Sequence, residues 1–158
     1  MTDAKIQAHS AIDMTATMER YATWEAAAAK LVPDNRRQLF AHLASANITR
    51  VVVIFDGEGD SGQIEDIQAY RGEEQAPLPN GEIETLDLPY GEPKPITRRH
   101  SIPLVVETLA YDLLRETHEG WENSDGAYGE FVFDVTAGTI TLDYNDRYMS
   151  SENHVHAW

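Results

Sequence analysis

The 158-residue sequence contains no cysteine, which excludes disulfide frameworks, thiolate metal sites and cysteine nucleophiles. No apolar run approaches the roughly 20 residues that a helix needs to cross a bilayer. Residues 1–9 do not combine a positive segment with a hydrophobic one, so we expect no signal peptide. Together these absences predict a protein of the reducing cytoplasm that does not act in a membrane.

Basic side chains are also scarce, since 12 Lys and Arg stand against 27 Asp and Glu and the net charge is −15. Residues 1–50 carry six basic and five acidic side chains, whereas residues 51–158 carry six basic and 22 acidic ones. This negative field disfavours direct binding to nucleic acid or to an anionic membrane. It suits a cation, a protein partner with a basic surface or a nucleic-acid mimic. It is equally compatible with acidity that only keeps the protein soluble.

Hydrophobic periodicity predicts three helices. The first begins near Ser10, where the spacing is that of a capping box, and it ends at Pro33. The second covers about residues 34–45, and the third is capped by Ser101 and stops at Gly120. The first helix should bury an apolar face made of Met14, Met18, Tyr21, Ala22, Ala28 and Leu31.

The period changes after Asn47. Residues 51–55 are apolar on both faces, which predicts a central strand with cover on each side, and residues 64–71 predict a second strand that pairs back. Residues 131–135 and 140–144 alternate as a hairpin. A two-residue turn there would pair Val135 with Ile140 and Phe133 with Leu142, placing every apolar side chain on one face.

Five prolines fall within residues 72–100. This composition predicts a long irregular connection with at most a short edge strand at residues 86–88. The whole chain, residues 1–158, is therefore expected to form a single α+β domain. In it, three helices pack on one face of a mainly antiparallel sheet of about four strands.

Acidic residues alternate with glycines directly after the central strand, over residues 56–65. Glycine lets a ligand approach the backbone, and hard cations such as Ca²⁺ or Mg²⁺ prefer oxygen ligands. The helix–loop–helix calcium template fails, because Ser61 replaces its glycine and Ile67 its glutamate. A tight turn made of turn-forming residues is the alternative. The candidate binding residues are Asp56, Glu58, Asp60, Ser61 and Glu65, of which Asp56, Glu58 and Asp60 are the candidate metal ligands.

A second loop, residues 118–129, carries Trp121 and Tyr128 among polar groups and glycines. These rings are candidates for the walls of a pocket, unless Trp121 merely covers the edge of the core. The loop's other candidate binding residues are Glu122, Asn123 and Asp125. If the central strand and the first hairpin strand are antiparallel neighbours, both loops lie at the same end of the sheet.

The carboxyl-terminal segment adds His154 and His156 as candidate metal ligands. In an extended strand both imidazoles would face one side and could chelate a transition metal. The alternative is that both are simply solvated histidines.

The segments 54–65, 120–126 and 129–134 together resemble an uncharacterised bacterial family. Its members carry a Gly-Asp-Ser-Gly loop and a later Gly-Trp-Glu-Asn loop that continues to Asp-Gly. The resemblance covers roughly residues 35–150. It implies a bacterial source and one domain, and it carries no activity, cofactor or catalytic residue with it.

Two functions follow from the residues. The first is a non-enzymatic binding or regulatory protein whose acidic sheet half meets a protein partner with a basic surface; a nucleic-acid mimic is a version of it. The second is a metal-assisted enzyme, a hydrolase in which a divalent cation held by the acidic glycine segment generates hydroxide or polarises a substrate. The sequence shows no catalytic constellation and does not predict the oligomeric state.

Overall fold

A computed structural model describes residues 2–58, 61–122, 126–148 and 153–157, with the side chains of residues 2–13 and 61 left out. The helices are α1 (Thr2–Ala29), α2 (Val32–Ser45) and α3 (Ile102–Thr117). The strands are β1 (Arg50–Glu58), β2 (Ser61–Arg71), β3 (Glu74–Ala76), β4 (Glu82–Asp87), β5 (Ile96–Ser101), β6 (Ala127–Asp134) and β7 (Thr139–Asp146).

The chain divides into two compact units. One comprises Met1–Gln38 and Glu82–His100, and the other comprises Leu39–Gly81 and Ser101–Trp158. The α+β class is confirmed. A single domain over residues 1–158 stays a prediction.

The second unit is built on a five-stranded antiparallel sheet with the order β3-β2-β1-β6-β7. The sequence predicted about four strands. The additional strand, β3, has only three residues, which is too short for a side-chain alternation to reveal it.

One face of this sheet forms the core, and the other is more exposed. Along β1, Val51, Val53 and Phe55 are buried, whereas Val52 and Ile54 are only half-buried. We name the first the inner face and the second the outer face. The prediction that β1 is covered on both sides is therefore confirmed for the inner face, and burial on the outer face is only partial. Apolar composition alone did not distinguish a buried face from a partly exposed one.

Two helical segments belong to the unit that contains the sheet, rather than the three expected on it. They are the second half of α2 and the whole of α3, because α1 falls in the other unit. Phe40 of α2 lies 6.1 Å from Phe133 of β6, ring centre to ring centre. Helix α3 buries a stripe at helical spacing and is capped by Ser101, whose side chain accepts a hydrogen bond from the Leu104 amide, as predicted.

The hairpin β6–β7 has a different register from the one predicted. Phe133 pairs with Ile140 and Phe131 with Leu142, a shift of two residues. The cause is a four-residue loop in which Asp134 accepts hydrogen bonds from the amides of Ala137 and Gly138. Because side chains alternate with a period of two, this shift leaves the apolar set on the inner face.

The first unit contains α1, the beginning of α2 and the two-stranded sheet β4–β5. Within it, Asn35 of α2 exchanges two hydrogen bonds with the Leu86 backbone, at 2.9 and 2.8 Å. The Trp24 indole donates to the Leu88 carbonyl. Residues 72–100 thus contain β3, β4 and most of β5, and the prediction of an irregular connection there is wrong. Its prolines lie between the strands.

Helix α1 also differs from its prediction. It begins at Thr2 rather than near Ser10. Met14 and Met18 are 66% and 68% exposed, and Tyr21 is half exposed, so the predicted buried face is wrong at these positions. Helical spacing identified the stripe, but it does not show whether another part of the chain covers it.

Candidate functional site

In the described residues 56–58 and 61–65, the acidic glycine segment belongs to the paired ends of β1 and β2. Asp56 and Glu58 belong to β1, Glu58 pairs with Ser61 at the start of β2, and Gly57 pairs with Gly62. Asp56 and Glu58 have outer-face parity, whereas Gly57 has inner-face parity. The turn-based alternative therefore describes this segment better than a loop that wraps around a ligand.

Asp56 is already paired with a cation. Arg147 Nη2 donates to Asp56 Oδ1 at 2.5 Å, and the Arg147 guanidinium lies 4.6 Å from the centre of the Tyr128 ring. The Arg147 amide also donates to the Gly126 carbonyl. Hydrogen bonding to Asp56 raises the pKa of Arg147. This contact joins the end of β7 to β1 across β6.

Trp121 lies on the inner face, over the two glycines. A Cβ built at Gly57 would be 2.7 Å from Trp121 Cζ3, and one built at Gly62 would be 2.5 Å from Trp121 Cη2. The indole is buried and meets Phe55 edge to face, with ring centres 5.5 Å apart. Because Gly57 and Gly62 have no side chains, the indole packs directly over their backbone.

This arrangement brings the two predicted segments to the same end of the sheet, because β1 and β6 are antiparallel neighbours. It also separates the two predicted pocket walls. Trp121 closes the inner face, whereas Tyr128 is 44% exposed and has outer-face parity. The alternative in which Trp121 covers the edge of the core is the one that the geometry favours. Glu122 follows the indole, and its Cβ lies 2.9 Å from the position of a Cβ at Gly62.

A row of carboxylates crosses the outer face. Ile54 of β1 pairs with Asp66 on one side and with Glu130 on the other, and Glu130 pairs in turn with Asp143 of β7. We name Asp66, Glu130 and Asp143 the carboxylate row. All three side chains are exposed. Among the residues that the structure describes, no Lys, Arg or His forms an ion pair with them.

The row places like charges side by side. Glu130 and Asp143 are directly opposite each other on neighbouring strands, an arrangement that destabilises a sheet by up to about 1 kcal/mol. Half-buried Val52, Ile54 and Val132 lie beside the row on the same face. Negative charge and partly exposed apolar surface thus occur together there.

Sequence reasoning missed this row. Its three members come from segments far apart in sequence, and only the register of three strand pairs brings them together. The sequence did indicate part of the row, because Glu130 and Asp143 alternate with the apolar residues of the predicted hairpin and so share its outer face.

The other predicted site residues are dispersed or lie outside the described residues. Glu65 is the extra residue of a β-bulge, because Phe55 pairs with Ile64 and Ile54 with Asp66; it accepts a hydrogen bond from Gln63. Asp60, Asn123 and Asp125 lie outside the described residues, as does the side chain of Ser61. Binding roles for these residues stay predictions.

Within the described part of the chain, no three His, Asp or Glu side chains lie close enough together to hold a metal ion. Asp60, one of the candidate ligands, is not among the described residues. Residues 153–157 are exposed and adopt neither helix nor strand. The extended strand that would place His154 and His156 on one side is therefore not found there, and metal binding stays a prediction.

Beside Trp121, the His118 ring stacks on the Tyr144 ring with centres 3.6 Å apart and planes 6° apart. Burial raises the pKa of Tyr144, and the carboxylates of Asp146 and Glu122 raise it further. Tyr144 belongs to β7, so this stack attaches the carboxyl end of α3 to the edge of the sheet.

The fold and the outer face define an α+β protein whose antiparallel sheet has one buried and one solvent-facing side. Residues 31–158 match the model of a family of unknown function, DUF6878, and the chain belongs to this family. No curated protein and no solved structure matches it. None of the described helices combines the length and the apolar character required to cross a membrane.

Proposed function

We propose that this protein is a non-enzymatic binding or regulatory protein that takes a basic protein partner on the outer face of its five-stranded sheet. The observation that carries the proposal is the carboxylate row. Three exposed acids lie on one cross-strand row beside partly exposed apolar side chains, and no described cation neutralises them.

The charge pattern of the row supports a cationic occupant. Like charges directly opposite each other lower the stability of a sheet, and a partner's Lys or Arg side chains would relieve this repulsion on binding. Charge complementarity of this kind increases association rates and excludes acidic partners. The neighbouring Val52, Ile54 and Val132 supply apolar area that charges alone would not provide.

The row also differs from Asp56, another carboxylate of this face, because Arg147 pairs with Asp56 internally. A partner would therefore interact with the carboxylates of the row rather than with Asp56, which Arg147 already neutralises. This distinction moves the proposed contact from the segment 56–65 to strands β2, β6 and β7.

The test compares two triple variants in affinity capture from the source organism, followed by titration of the captured partner in purified form. The first variant reverses the row with Asp66→Lys, Glu130→Lys and Asp143→Lys. The matched control makes the same charge change on α3 and the residues after it, with Glu107→Lys, Glu116→Lys and Glu119→Lys. We expect the partner to bind wild type and the control but not the row variant, with an affinity that falls as salt rises. Equal binding by both variants would contradict the proposal.

A further inference from the structure

No further described strand pairs with the edge of the sheet beside the carboxylate row. Strand β7 is the last strand of the order β3-β2-β1-β6-β7 and pairs only with β6 among the described strands. It has eight residues, and its pairing with β6 runs from Thr139 to Asp146 without a bulge. It contains neither proline nor lysine, the residues that commonly protect an exposed edge.

The hydrogen-bonding pattern shows which backbone groups point outward. The Arg147 amide donates to the carbonyl of Gly126, the residue directly opposite, so these two form a hydrogen-bonded pair. Pairs of this type alternate along an antiparallel ladder. The N–H and C=O groups of Ile140, Leu142 and Tyr144 therefore point away from β6, towards the open edge.

The two faces of β7 differ in chemistry. The side chains of Ile140, Leu142 and Tyr144 are half-buried on the inner face, whereas Thr141 and Asp143 are exposed on the outer face. A strand added to this edge would continue both faces. Its alternate side chains would lie beside apolar groups on one side and beside the carboxylate row on the other.

We infer that the basic partner of the proposed function presents an extended segment that adds to β7 as a sixth, antiparallel strand. In this segment lysine or arginine alternates with apolar residues. The basic side chains lie on the outer face near Asp143, and the apolar ones lie beside Leu142 and its inner-face neighbours. The inference rests on the proposed function and names the form in which the partner binds.

Charge disfavours a second copy of the chain as the occupant of this edge. Two β7 strands paired about a twofold axis perpendicular to the sheet would join outer face to outer face. The two carboxylate rows would then lie on the same face of one continuous sheet, and the repulsion between their like charges would oppose pairing. A basic segment would instead be attracted to the carboxylates beside this edge.

The test uses the full chain and a synthetic peptide of about eight residues in which lysine or arginine alternates with valine or isoleucine. Two further peptides carry backbone N-methyl groups, either at the apolar or at the basic positions. In an antiparallel addition only the apolar residues direct their N–H groups towards β7. We expect methylation there to weaken binding at least about tenfold, because several hydrogen bonds are lost, and methylation at the basic positions to change it little.

Hydrogen exchange supplies a second readout. Binding should slow exchange of the amides of Ile140, Leu142 and Tyr144, which are free of β6, more than that of amides on β3, the opposite edge. Asp143→Asn should weaken the peptide more than the matched Asp66→Asn, since β2 lies three strands away from β7.

The outcomes separate the two proposals. If both methylated peptides bind as well as the parent and the two Asp variants weaken binding equally, the outer face binds the peptide without strand addition. The further inference then fails while the proposed function stands. No binding of the parent peptide, or a dimer of the free protein in which the β7 amides are already protected, also overturns the further inference. Insensitivity of the captured partner to reversal of the row refutes the proposed function itself.

Discussion

The indole of Trp121 occupies the space that a side chain at Gly62 would need. A Cβ at Gly62 would lie 2.5 Å from Trp121 Cη2, well inside van der Waals contact. Gly57, the cross-strand partner of Gly62, has the same relationship to the ring. The hairpin end therefore requires two glycines for a reason of packing, and not because either residue needs a left-handed backbone.

We expect Gly62→Ala to destabilise the protein by about 1–3 kcal/mol, the usual cost of overpacking. The same change in a Trp121→Ala background should cost markedly less, because the ring that clashes with the new methyl group is gone. Denaturant unfolding of the four proteins in this double-mutant cycle gives the coupling energy. Additive effects of the two substitutions would show that the ring and the glycine do not compete for space.

The paired hydrogen bonds between Asn35 and the Leu86 backbone lead to a prediction for the first unit. Asn35→Ala leaves a part-buried N–H and C=O without their partner, and we expect a loss of about 1–3 kcal/mol in unfolding free energy. Gln38→Ala, an exposed change one turn later on the same helix, is the control and should have little effect. Equal losses would mean that the side-chain bridge contributes nothing specific.

Asp112 provides a test by pH. Burial raises its pKa, although Arg115, 2.5 Å away, lowers it. The unfolded chain therefore loses this proton first as pH rises above about 4, and stability falls over that interval. We expect Asp112→Asn to melt at a higher temperature than wild type at pH 7 and the difference to vanish below about pH 3. Thr108→Ala, an exposed and uncharged change on the same helix, is the control, and its difference in melting temperature from wild type should not depend on pH.

The carboxylates of Glu130 and Asp143 lie directly opposite each other. Reversing one of these charges should therefore increase stability while it weakens the proposed binding. Asp143→Lys replaces a repulsive cross-strand pair with an attractive one, so we expect a gain of about 0.2–1 kcal/mol that shrinks in high salt. Thr141→Lys is the control, because its partner on β6 is Val132. Thermal melts at low and high salt measure the gain in stability and its reduction by salt. A loss of stability with Asp143→Lys would show that the carboxylates do not repel each other.

The exposed stripe of α1 predicts tolerance where the sequence suggested a core. We expect Met18→Gln to change the unfolding free energy by no more than about 0.5 kcal/mol. Leu43→Ala, at a fully buried position of α2, should cost about 2–5 kcal/mol. A large loss with Met18→Gln would contradict the exposure of this side chain.

Local patterns predicted much of the second unit. The alternation in residues 131–144 identified the hairpin and its buried face. The Ser101 cap and the apolar stripe of α3 located that helix. The strand at residues 51–55 was identified too, although it is longer than predicted. In these cases the determining interactions lie within a few residues along the chain or across one turn.

The rest depended on interactions distant in sequence. Pairing of β1 with β2 and β6, and of β6 with β7, sets the carboxylate row, and no short window of sequence contains all three acids. The role of Gly57 and Gly62 depends on an indole about sixty residues away, so glycine and acid together suggested a ligand loop instead. The four-residue loop after Asp134 shifted the hairpin register because a side-chain hydrogen bond selected it.

The parity of β1 has a consequence for sequence variation. Residues 51, 53 and 55 maintain the core, while the residues between them contribute to the opposite surface of the same strand. If the outer face binds a partner as proposed, substitutions at positions 52 and 54 should change that surface with little effect on the core. A scan of all single substitutions along β1 should show abundance and binding responding at alternate positions, out of phase by one residue.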